Sequence, residues 1–212
     1  MDRGRLRSGD VLGHWGDAVA CAQRFALLMV DFVNPLRFAG AERLAPMALA
    51  AAAATARLKA RCRRANWPTI YANDNFGQWN SEFSSLVQRC ATAGGDSAAL
   101  VDLLTPDEVD LSILKPRHSA FYGSPLEFLL LELRVSGLIV TGIAADSCVL
   151  FTAMDAFLRR YPVWVPRDCV ASKSFAKRDA ALTQMQDGAK VWTGPSRTPL
   201  RTARARCFAT QS

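Results

Sequence analysis

Histidine is scarce in this sequence, and the side chains that usually bind metals are widely spaced. The 212 residues include two histidines, His14 and His118, which are far apart in the chain. No two of the six cysteines lie within four residues of each other, which excludes a CxxC redox motif and the common zinc-finger spacings. These spacings argue against a histidine-rich metal site. The cysteines are Cys21, Cys62, Cys90, Cys148, Cys169 and Cys207.

Long apolar runs and nucleotide-binding glycine motifs are also missing. No apolar run reaches the ~18 residues that a membrane-spanning helix needs, so no membrane contact is predicted. The first residues are charged, and no short apolar segment with a small-residue cleavage site follows them, so no secretion signal is predicted. No GxGxxG follows the first predicted strand, and GxxxxGK[ST] does not occur. We therefore expect a cytoplasmic protein with reduced thiols and without a cofactor.

The net charge of +7 would suit a nucleic-acid-binding protein, but the positions of the charges do not. Residues 1–7 carry three arginines against one aspartate, and residues 197–212 carry four arginines and no acid. No basic stripe alternates with aromatic residues along one predicted element. We therefore expect no nucleic-acid partner. We interpret residues 193–212 as a basic C-terminal tail, which is either frayed or a contact for a partner.

Short apolar runs alternate with helical patterns along the middle of the chain. Half of the residues are hydrophobic, which is enough for a substantial core. This alternation is typical of a mostly parallel sheet with helices on both faces. We predict one α/β domain over residues 23–192, after an N-terminal extension of residues 1–22. The predicted strands cover residues 25–30, 69–72, 111–114, 138–141 and 163–165, with an edge strand over 190–192.

Helical patterns fill the intervals between these strands. A helix with cations at its C-terminal end is predicted from Ala45 to Ala65. Ser124 is expected as the N-cap of another helix, with Pro125 in its first turn and Gly137 at its end. The predicted helices cover residues 45–65, 81–92, 124–135, 149–160 and 176–186.

Three polar residues follow predicted strands, at the edge of the sheet where parallel α/β proteins bind ligands. Asp31 directly follows FALLMV, and Lys115 directly follows LSIL. Cys148 comes two residues after LIVTGIAAD. An acid, a cation and a thiol that meet in one crevice can form an activated nucleophile. The cation would lower the pKa of the thiol, and the acid would take its proton. The following helix N-terminus would favour the thiolate and could supply N–H groups for an oxyanion.

Each of these residues also has an ordinary structural interpretation. A lone cysteine in an apolar stretch is commonly a small buried side chain. Asp31 could be a turn or cap residue, and Lys115, which precedes Pro116, could be a solvated loop lysine. The spacing of the three residues alone leaves these alternatives open.

Four segments of the chain match a known family in order over residues 24–186. They are FALLMVDFVNPL, TIYANDNFGQW, KPRHSAFYGSPLEFLL and LIVTGIAADSCVLFTAMDAFLRRYPVWVPRDCVAS. The last is the most specific, because GIAADSCV is similar to the family pattern Gly-x-Ala-Thr-Asp-x-Cys-Val. On these segments the sequence resembles the isochorismatase-like cysteine hydrolase superfamily, which includes nicotinamidases and N-carbamoyl amide hydrolases. The resemblance implies a three-layer α/β/α fold with a mostly parallel sheet of about six strands.

The resemblance also implies a mechanism. It assigns Asp31, Lys115 and Cys148 to a catalytic triad in which Cys148 is the nucleophile. It implies a cis peptide bond between Ile143 and Ala144, which would direct the N–H of Ala144, beside that of Cys148, at the substrate carbonyl oxygen. The implied activity is hydrolysis of a C–N bond in a small amide or carbamoyl compound through a thioester. Such proteins commonly form dimers or tetramers, so we expect a homo-oligomer.

The chain departs from the family pattern at several positions. Ala145 stands where threonine is common, and Ser124 stands where threonine is usual. Metal-dependent nicotinamidases carry Asp-x-His and further histidines after the second strand, whereas this chain has NDNF at residues 73–76. The resemblance therefore implies no zinc or iron, and it argues against nicotinamide as the substrate.

Substrate-binding residues are predicted from the loops after the strands. Asn73 and Asn75 could hydrogen-bond a polar substrate, although asparagine is also a turn former. Arg117 and His118 follow Lys115 and could meet a carboxylate, or could lie in solvent. An aromatic pocket wall is predicted from residues that could instead belong to the core, namely Phe38, Phe76, Trp79, Phe121 and Tyr122.

The sequence leaves two other functions open. An ether hydrolase of the isochorismatase type would share the fold but typically lacks the cysteine. A catalytically silent member of the family could act as a binding or scaffold protein, and Ala145 in place of threonine leaves room for that function. No single residue in the loops identifies the substrate.

Overall fold

The structure, a computed structural model, describes residues 24–210 of the chain. Six parallel strands form one sheet in the order β3-β2-β1-β4-β5, and β6 also pairs with β4. The strands are β1 (Arg24–Val30), β2 (Thr69–Asp74), β3 (Leu111–Lys115), β4 (Val135–Ile143), β5 (Val163–Trp164) and β6 (Val170–Ala171). The helices are α1 (Ala41–Arg64), α2 (Phe83–Thr92), α3 (Gly95–Leu103), α4 (Leu126–Glu132), α5 (Leu150–Leu158), α6 (Phe175–Ala189) and α7 (Leu200–Ala209), and a π-helical turn (Ala145–Val149) precedes α5.

β1 lies inside the sheet because its side chains are apolar and buried from Phe25 to Val30. It pairs with β2 on one side and with β4 on the other. A continuous apolar run of this kind suits a parallel strand that is covered on both faces. Because successive side chains point to opposite faces, β1 contributes to the core on both sides of the sheet.

Helices cover both faces of the sheet, and each face has its own hydrophobic core. One core joins Leu27 and Met29 of β1 to residues of α1, α2, α3 and α7. The other joins Leu28 and Val30 to residues of α4, α5 and α6. The burial of this apolar surface is the main favourable contribution to folding. The mostly parallel, six-stranded α/β/α architecture predicted from the sequence is therefore confirmed.

The helix predicted over residues 124–135 is shorter in the structure, and the strand after it is longer. α4 ends at Glu132 and β4 begins at Val135, so Gly137 lies inside the strand instead of ending a helix. A side chain at Gly137 would come within 2.4 Å of the Phe25 ring, which explains a glycine in a buried strand. Pro125, rather than the predicted Ser124, is the N-cap residue of α4. The Ser124 hydroxyl nevertheless accepts a 3.1 Å hydrogen bond from the N–H of Leu126.

The structure also contains elements that the sequence analysis does not predict. α3 begins at Gly95, where only the end of the preceding helix is predicted, and β6 is a strand of two residues. The edge strand predicted over residues 190–192 is reduced to one bridge between Trp192 and Trp164. These elements are too short or too weakly patterned for their periodicity to identify them in the sequence.

The basic C-terminal segment contains a packed helix in place of a frayed end. α7 buries Ala203 and Cys207. Ahead of α7, the guanidinium of Arg61 donates hydrogen bonds to the carbonyl oxygens of Ser196 and Thr198, which attach the segment to α1. The domain boundaries stay a prediction. The N-terminal extension, with His14 and Cys21, lies outside the described residues.

β4 passes β1 at Gly142 with no room for a side chain. Gly142 is paired with Val30 and has a φ of +135°, and a Cβ atom there would lie 2.0 Å from the carbonyl oxygen of Val30. Glycine adopts such a conformation readily, whereas a residue with a Cβ is strained. Asp31 and Ile143 follow these two residues, so the contact sets the distance between two strands that carry the candidate site.

We predict that Gly142→Ala lowers the free energy of unfolding by more than about 3 kcal/mol, because the added Cβ meets backbone that cannot move aside. Gly188→Ala is the matched control. Gly188 lies in α6, and its added Cβ would have Met154 Cε at 3.4 Å as its nearest neighbour. The control should be neutral or stabilising by up to about 1 kcal/mol. Urea unfolding followed by circular dichroism measures both changes, and wild-type stability of the Gly142→Ala protein would contradict this packing.

Candidate active site

The strand ends that carry the predicted triad meet at one edge of the sheet. Asp31 directly follows β1, and Lys115 is the last residue of β3. Cys148 lies in the π-helical turn after β4. Because the strands are parallel, their carboxyl ends share one edge. The fold thus brings together three side chains that are distant in the chain.

The ammonium group of Lys115 lies at the centre of this cluster, and its side chain is fully buried. Nζ is 2.8 Å from Oδ2 of Asp31 and 3.8 Å from Oδ2 of Asp74. It also donates a 3.1 Å hydrogen bond to the carbonyl oxygen of Arg117 and lies 3.7 Å from Sγ of Cys148. A buried ammonium needs such partners, because removing it from water costs several kcal/mol. Lys115 is therefore not the solvated loop lysine that the sequence left open.

Asp31 is held in place by its backbone and by three neighbours. Its φ is 54°, in the left-handed region that is uncommon for residues other than glycine. Oδ1 accepts a 2.8 Å hydrogen bond from the N–H of Asp74, and Oδ2 pairs with Lys115. The thiol of Cys148 lies close enough to this carboxyl group to lower its pKa. Asp31 therefore contacts both other residues of the predicted triad.

Cys148 differs from the other cysteines of residues 24–210 in its exposure. It is half-buried, whereas the others are buried, namely Cys62, Cys90, Cys169 and Cys207. The π-helical turn that carries it follows a peptide bond between Ile143 and Ala144 that is cis in the structure. The sulfur is thus next to buried charged groups and is also open to a ligand.

The pKa of Cys148 is raised to about 12. Burial has the largest effect, the charge of Asp31 has the next, and the opposite effect of Lys115 does not offset them. The prediction that the Cys148 pKa is lowered is therefore wrong for the site without substrate, because Lys115 is already paired with Asp31. Burial also raises the pKa of Asp31, against the lowering effect of Lys115. The site holds a protonated thiol beside a carboxylate of increased basicity.

A cavity of about 270 Å³, which we call the central cavity, has both Asp31 and Cys148 on its wall. Lys115 does not line it and lies behind these two residues. A small molecule in this cavity would meet the thiol and the carboxylate directly. The wall is formed by Asp31, Asn34, Phe38, Leu44, Asp74, Phe76, His118, Ile143, Ala144, Ser147, Cys148 and Lys173.

The aromatic wall predicted from the sequence is only partly present. Phe38 and Phe76 line the central cavity. Phe121 is buried in the core between the sheet and α4 to α6, so it does not reach the cavity. Trp79 and Tyr122 are 80% and 63% exposed, and neither lines the central cavity. The structure therefore brings two of the five predicted aromatic residues to the central cavity.

The two asparagines predicted to bind substrate do not line the cavity, whereas Asp74 between them does. The Asn73 amide nitrogen donates a 2.8 Å hydrogen bond to the carbonyl oxygen of Val33. Asn75 accepts a 2.9 Å hydrogen bond from the N–H of Gly77, as turn-forming asparagines do. Side chains alternate along β2, so the orientation that brings Asp74 to the cavity turns Asn73 away.

His118, which the sequence analysis considered as a carboxylate-binding residue, lies beside the thiol. Its Nδ1 is 3.6 Å from Sγ of Cys148 and 3.4 Å from Oγ of Ser147. The imidazole ring stacks on Phe151 of α5, with 5.6 Å between the ring centroids. His118 is thus on the wall of the central cavity, at its solvent-exposed side.

Asp74, Ser147 and Lys173 are cavity residues that the sequence analysis does not select. Asp74 and Ser147 each stand next to a residue that was selected. Alternation along β2 could have identified Asp74, whereas Ser147 lies in the π-helical turn, where no such alternation applies. Lys173 follows the two-residue strand β6, and a single lysine after so short a strand gives no usable signal. Its position depends on the pairing of β6 with β4.

Within residues 24–210, no group of three or more His, Cys, Asp or Glu side chains could hold a metal ion. The one histidine of the central cavity, His118, is next to a thiol rather than within a set of ligands. The absence of a metal cofactor stays a prediction.

Comparisons with known proteins identify the family. The protein-family model described as "Isochorismatase domain" matches residues 25–196. The chain belongs to the isochorismatase family. An uncharacterized isochorismatase family protein, YaaI of Bacillus subtilis, is 40% identical over 162 residues, which are 76% of this chain and 88% of the relative.

Other isochorismatase-family relatives have named activities. Maleamate amidohydrolase of Pseudomonas putida is 26% identical over 178 residues, covering 80% of this chain and 83% of the relative. The crystal structure of N-carbamoylsarcosine amidase from Thermoplasma acidophilum has a TM-score of 0.64 and 23% identity, and the match covers 84% of this chain and 99% of that chain. This structural likeness concerns the fold. The chain is thus an isochorismatase-family hydrolase that is related to amidohydrolases.

We predict that Asp31→Asn lowers the pKa of Cys148 by at least about one unit. A negative charge disfavours the thiolate, so its removal lowers the thiol pKa, while Lys115 continues to stabilise the thiolate. Iodoacetamide labelling of Cys148 between pH 5 and pH 10, read by peptide mass spectrometry, measures the change. The wild-type rate should still be rising at pH 10, whereas the Asp31→Asn rate should approach its maximum at a lower pH.

Asp74→Asn is the matched control for this prediction, because Asp74 is not among the main charges that shift the Cys148 pKa. Its labelling profile should stay close to that of the wild type. The buried thiol of Cys169 reports on the fold, since it becomes labelled only when the protein opens. A Cys148 profile that stays in place or moves to higher pH in Asp31→Asn would contradict the electrostatics described here.

Proposed function

We propose that this hydrolase cleaves the C–N bond of a small amide or carbamoyl compound through a thioester on Cys148. One observation carries the proposal: the Asp31 carboxylate, 2.8 Å from Nζ of Lys115, and the Cys148 thiol, 3.7 Å from the same nitrogen, meet on the wall of the central cavity. A thiol beside a base that is itself held by a third group is the arrangement that nucleophilic catalysis needs. Maleamate amidohydrolase among the relatives supports a C–N bond as the target.

In the first step, Asp31 acts as the general base. Its carboxylate takes the thiol proton of Cys148 while the sulfur attacks the substrate carbonyl carbon, so an S–C bond forms and the carbonyl oxygen becomes an oxyanion. Because the pKa of the thiol is about 12, this proton transfer accompanies the attack instead of preceding it. The raised pKa of Asp31 makes its carboxylate a better proton acceptor.

The negative charge of this intermediate needs nearby donors. The cavity wall includes Ala144 and Cys148, and we assign their backbone N–H groups to the oxyanion. Lys115 stays fixed behind the reacting atoms, where its charge stabilises the developing thiolate. Its own pKa is raised because Asp31 and the other negative groups outweigh the effect of burial, so it stays charged throughout.

The remaining steps release the two products. Asp31 returns the proton to the leaving nitrogen, the C–N bond breaks, and ammonia or an amine departs. Water then adds to the thioester carbonyl while Asp31 accepts its proton. The S–C bond breaks, the proton returns to the sulfur of Cys148, and a carboxylic acid leaves, so that one water is consumed per turnover.

We also propose that the protein acts as a homo-oligomer in the cytoplasm. Apolar side chains on α4 and α5 are at least half exposed, namely Phe128, Leu131, Phe151 and Leu158, and exposed apolar patches commonly mark contact surfaces. No helix of residues 24–210 has the length and apolar character needed to cross a bilayer. Size-exclusion chromatography with light scattering should give a multiple of the 23.1 kDa chain mass, and a monomer at micromolar concentration would contradict the assembly.

We predict that Cys148→Ala lowers ammonia release from the preferred amide by at least about 10³-fold, because the nucleophile is lost. A screen of small amides and carbamoyl compounds with the wild type identifies that substrate. The thermal unfolding midpoint should change little, since Cys148 is half-buried. Cys207→Ala, which removes a thiol of α7, is the control and should keep most of the activity.

The outcome distinguishes the proposed amide hydrolase from an ether hydrolase and from a catalytically silent binding or scaffold protein. Ammonia release that survives in Cys148→Ala would exclude the thioester mechanism and favour hydrolysis without the thiol. No release from any amide or carbamoyl compound by the wild type, together with an unreactive Cys148, would favour a silent binding or scaffold role.

A further inference from the structure

A second cavity of about 300 Å³ adjoins the central cavity. The two share Asn34, Phe38 and Phe76 on their walls. We call the second one the side cavity; its other wall residues are Pro35, Arg37, Gln78 and Arg89. It lies between the segments that follow β1 and β2, at the same edge of the sheet as Cys148. Together the cavities can hold a molecule that extends beyond the group reacting with the thiol.

The side cavity has two arginines and no acid on its wall. Nη1 of Arg89 donates a 2.8 Å hydrogen bond to Oε1 of Gln78, which is a neutral acceptor. Among residues 24–210, neither Arg37 nor Arg89 has a carboxylate oxygen within 4.0 Å. Arg37 also borders a groove with Glu42 and Asp96 on its wall, and neither of them comes that close. The positive charge of this cavity is therefore not neutralised from within the described part of the chain.

Lys173 extends the positive wall into the central cavity. Its Nζ donates a 2.6 Å hydrogen bond to the carbonyl oxygen of Ala39 and lies 5.5 Å from the centroid of the Phe38 ring. No carboxylate of residues 24–210 lies within 4.0 Å of it. By contrast, the acids of the central cavity, Asp31 and Asp74, both face Lys115. Four cations, Lys115, Lys173, Arg37 and Arg89, thus stand against two acids, so the net charge around the joined cavities is positive.

We propose that the side cavity binds the anionic end of the substrate, and that the substrate is a small amide or carbamoyl compound that carries a carboxylate. The amide or carbamoyl group of this substrate rests on the proposed function, whereas its carboxylate is inferred from Arg37, Arg89 and Lys173. Planar guanidinium groups match the geometry of a carboxylate. The rings of Phe38 and Phe76, shared by both cavities, would contact the carbon chain between the carboxylate and the scissile carbonyl.

The first test compares anionic and neutral amides of equal length. Three pairs differ only in the terminal carboxylate: succinamate and butanamide, glutaramate and pentanamide, adipamate and hexanamide. The wild type should prefer the anionic member of at least one pair by tenfold or more in kcat/KM for ammonia release. Arg37→Gln and Arg89→Gln should each reduce that preference at least tenfold, the scale of one charge-assisted hydrogen bond.

Arg64→Gln is the matched control. Arg64 ends α1 at the side of the sheet where β2 begins, away from both cavities, and its substitution removes the same charge from the chain. It should leave the preference unchanged. A loss of preference as large as that of the cavity variants would mean that the net charge of the protein, rather than the side cavity, attracts the anion.

The second test measures binding without turnover. Calorimetric titration of the Cys148→Ala protein with glutaramate should show a Kd that rises at least tenfold when Arg89→Gln is added. Inorganic phosphate is the comparison titrant, and tighter binding of phosphate than of glutaramate would overturn the assignment to a carboxylate. No glutaramate binding in the millimolar range, or a Kd for glutaramate that Arg89→Gln leaves unchanged, would overturn the subsite.

Together the two tests distinguish failure of the subsite from failure of the proposed function. Ammonia release without any preference for the anionic amides would overturn the subsite and leave the proposed function standing. Arginine-dependent binding of glutaramate by a protein that releases ammonia from no compound would support the subsite and overturn the proposed function.

Discussion

The ion pair between the buried ammonium of Lys115 and the carboxylate of Asp31 is the interaction on which the site depends. Three strands that are neighbours in the sheet supply this pair and a second carboxylate: Asp31 follows β1, Lys115 ends β3, and Asp74, 3.8 Å from the same ammonium, ends β2. The lysine stays charged in the interior because these carboxylates outweigh the cost of burial. Removal of either partner would leave an uncompensated buried charge, which is among the most destabilising changes a protein core can undergo.

The same pairing determines the state of the thiol. Since Lys115 and Asp31 largely neutralise each other, Cys148 lies in a low-dielectric setting without a free cation, and its pKa is raised. A thiol that is kept protonated is a weak nucleophile and resists oxidation. It also lies within hydrogen-bond reach of the carboxylate that can take its proton once a carbonyl group arrives. The arrangement favours reaction of the thiol with a bound substrate over its reaction with other molecules that enter the cavity.

The positions of Asp31 and Lys115 could be predicted from the sequence, because buried apolar runs end at them and the ends of parallel strands share an edge. The sign of the Cys148 pKa shift could not, since it depends on the depth of burial and on Lys115 being already paired. Phe38 and Phe121 both follow strands, yet only tertiary packing decides their roles: Arg159 lies 4.8 Å from the centroid of the Phe121 ring. The attachment of the C-terminal segment rests on contacts between residues 137 positions apart, such as Arg61 with Thr198, which no local pattern encodes.

A covalent bond between Cys148 and the acyl part of the substrate is the most direct consequence of the proposed mechanism. Mass spectrometry of the protein, acid-quenched within milliseconds of mixing with excess preferred amide, would detect it. We predict a mass increase equal to the acyl group, located on the peptide that contains Cys148, removed by hydroxylamine and missing from Cys148→Ser. Turnover of the amide with no adduct at any quench time, or with an adduct on another residue, would contradict the thioester mechanism.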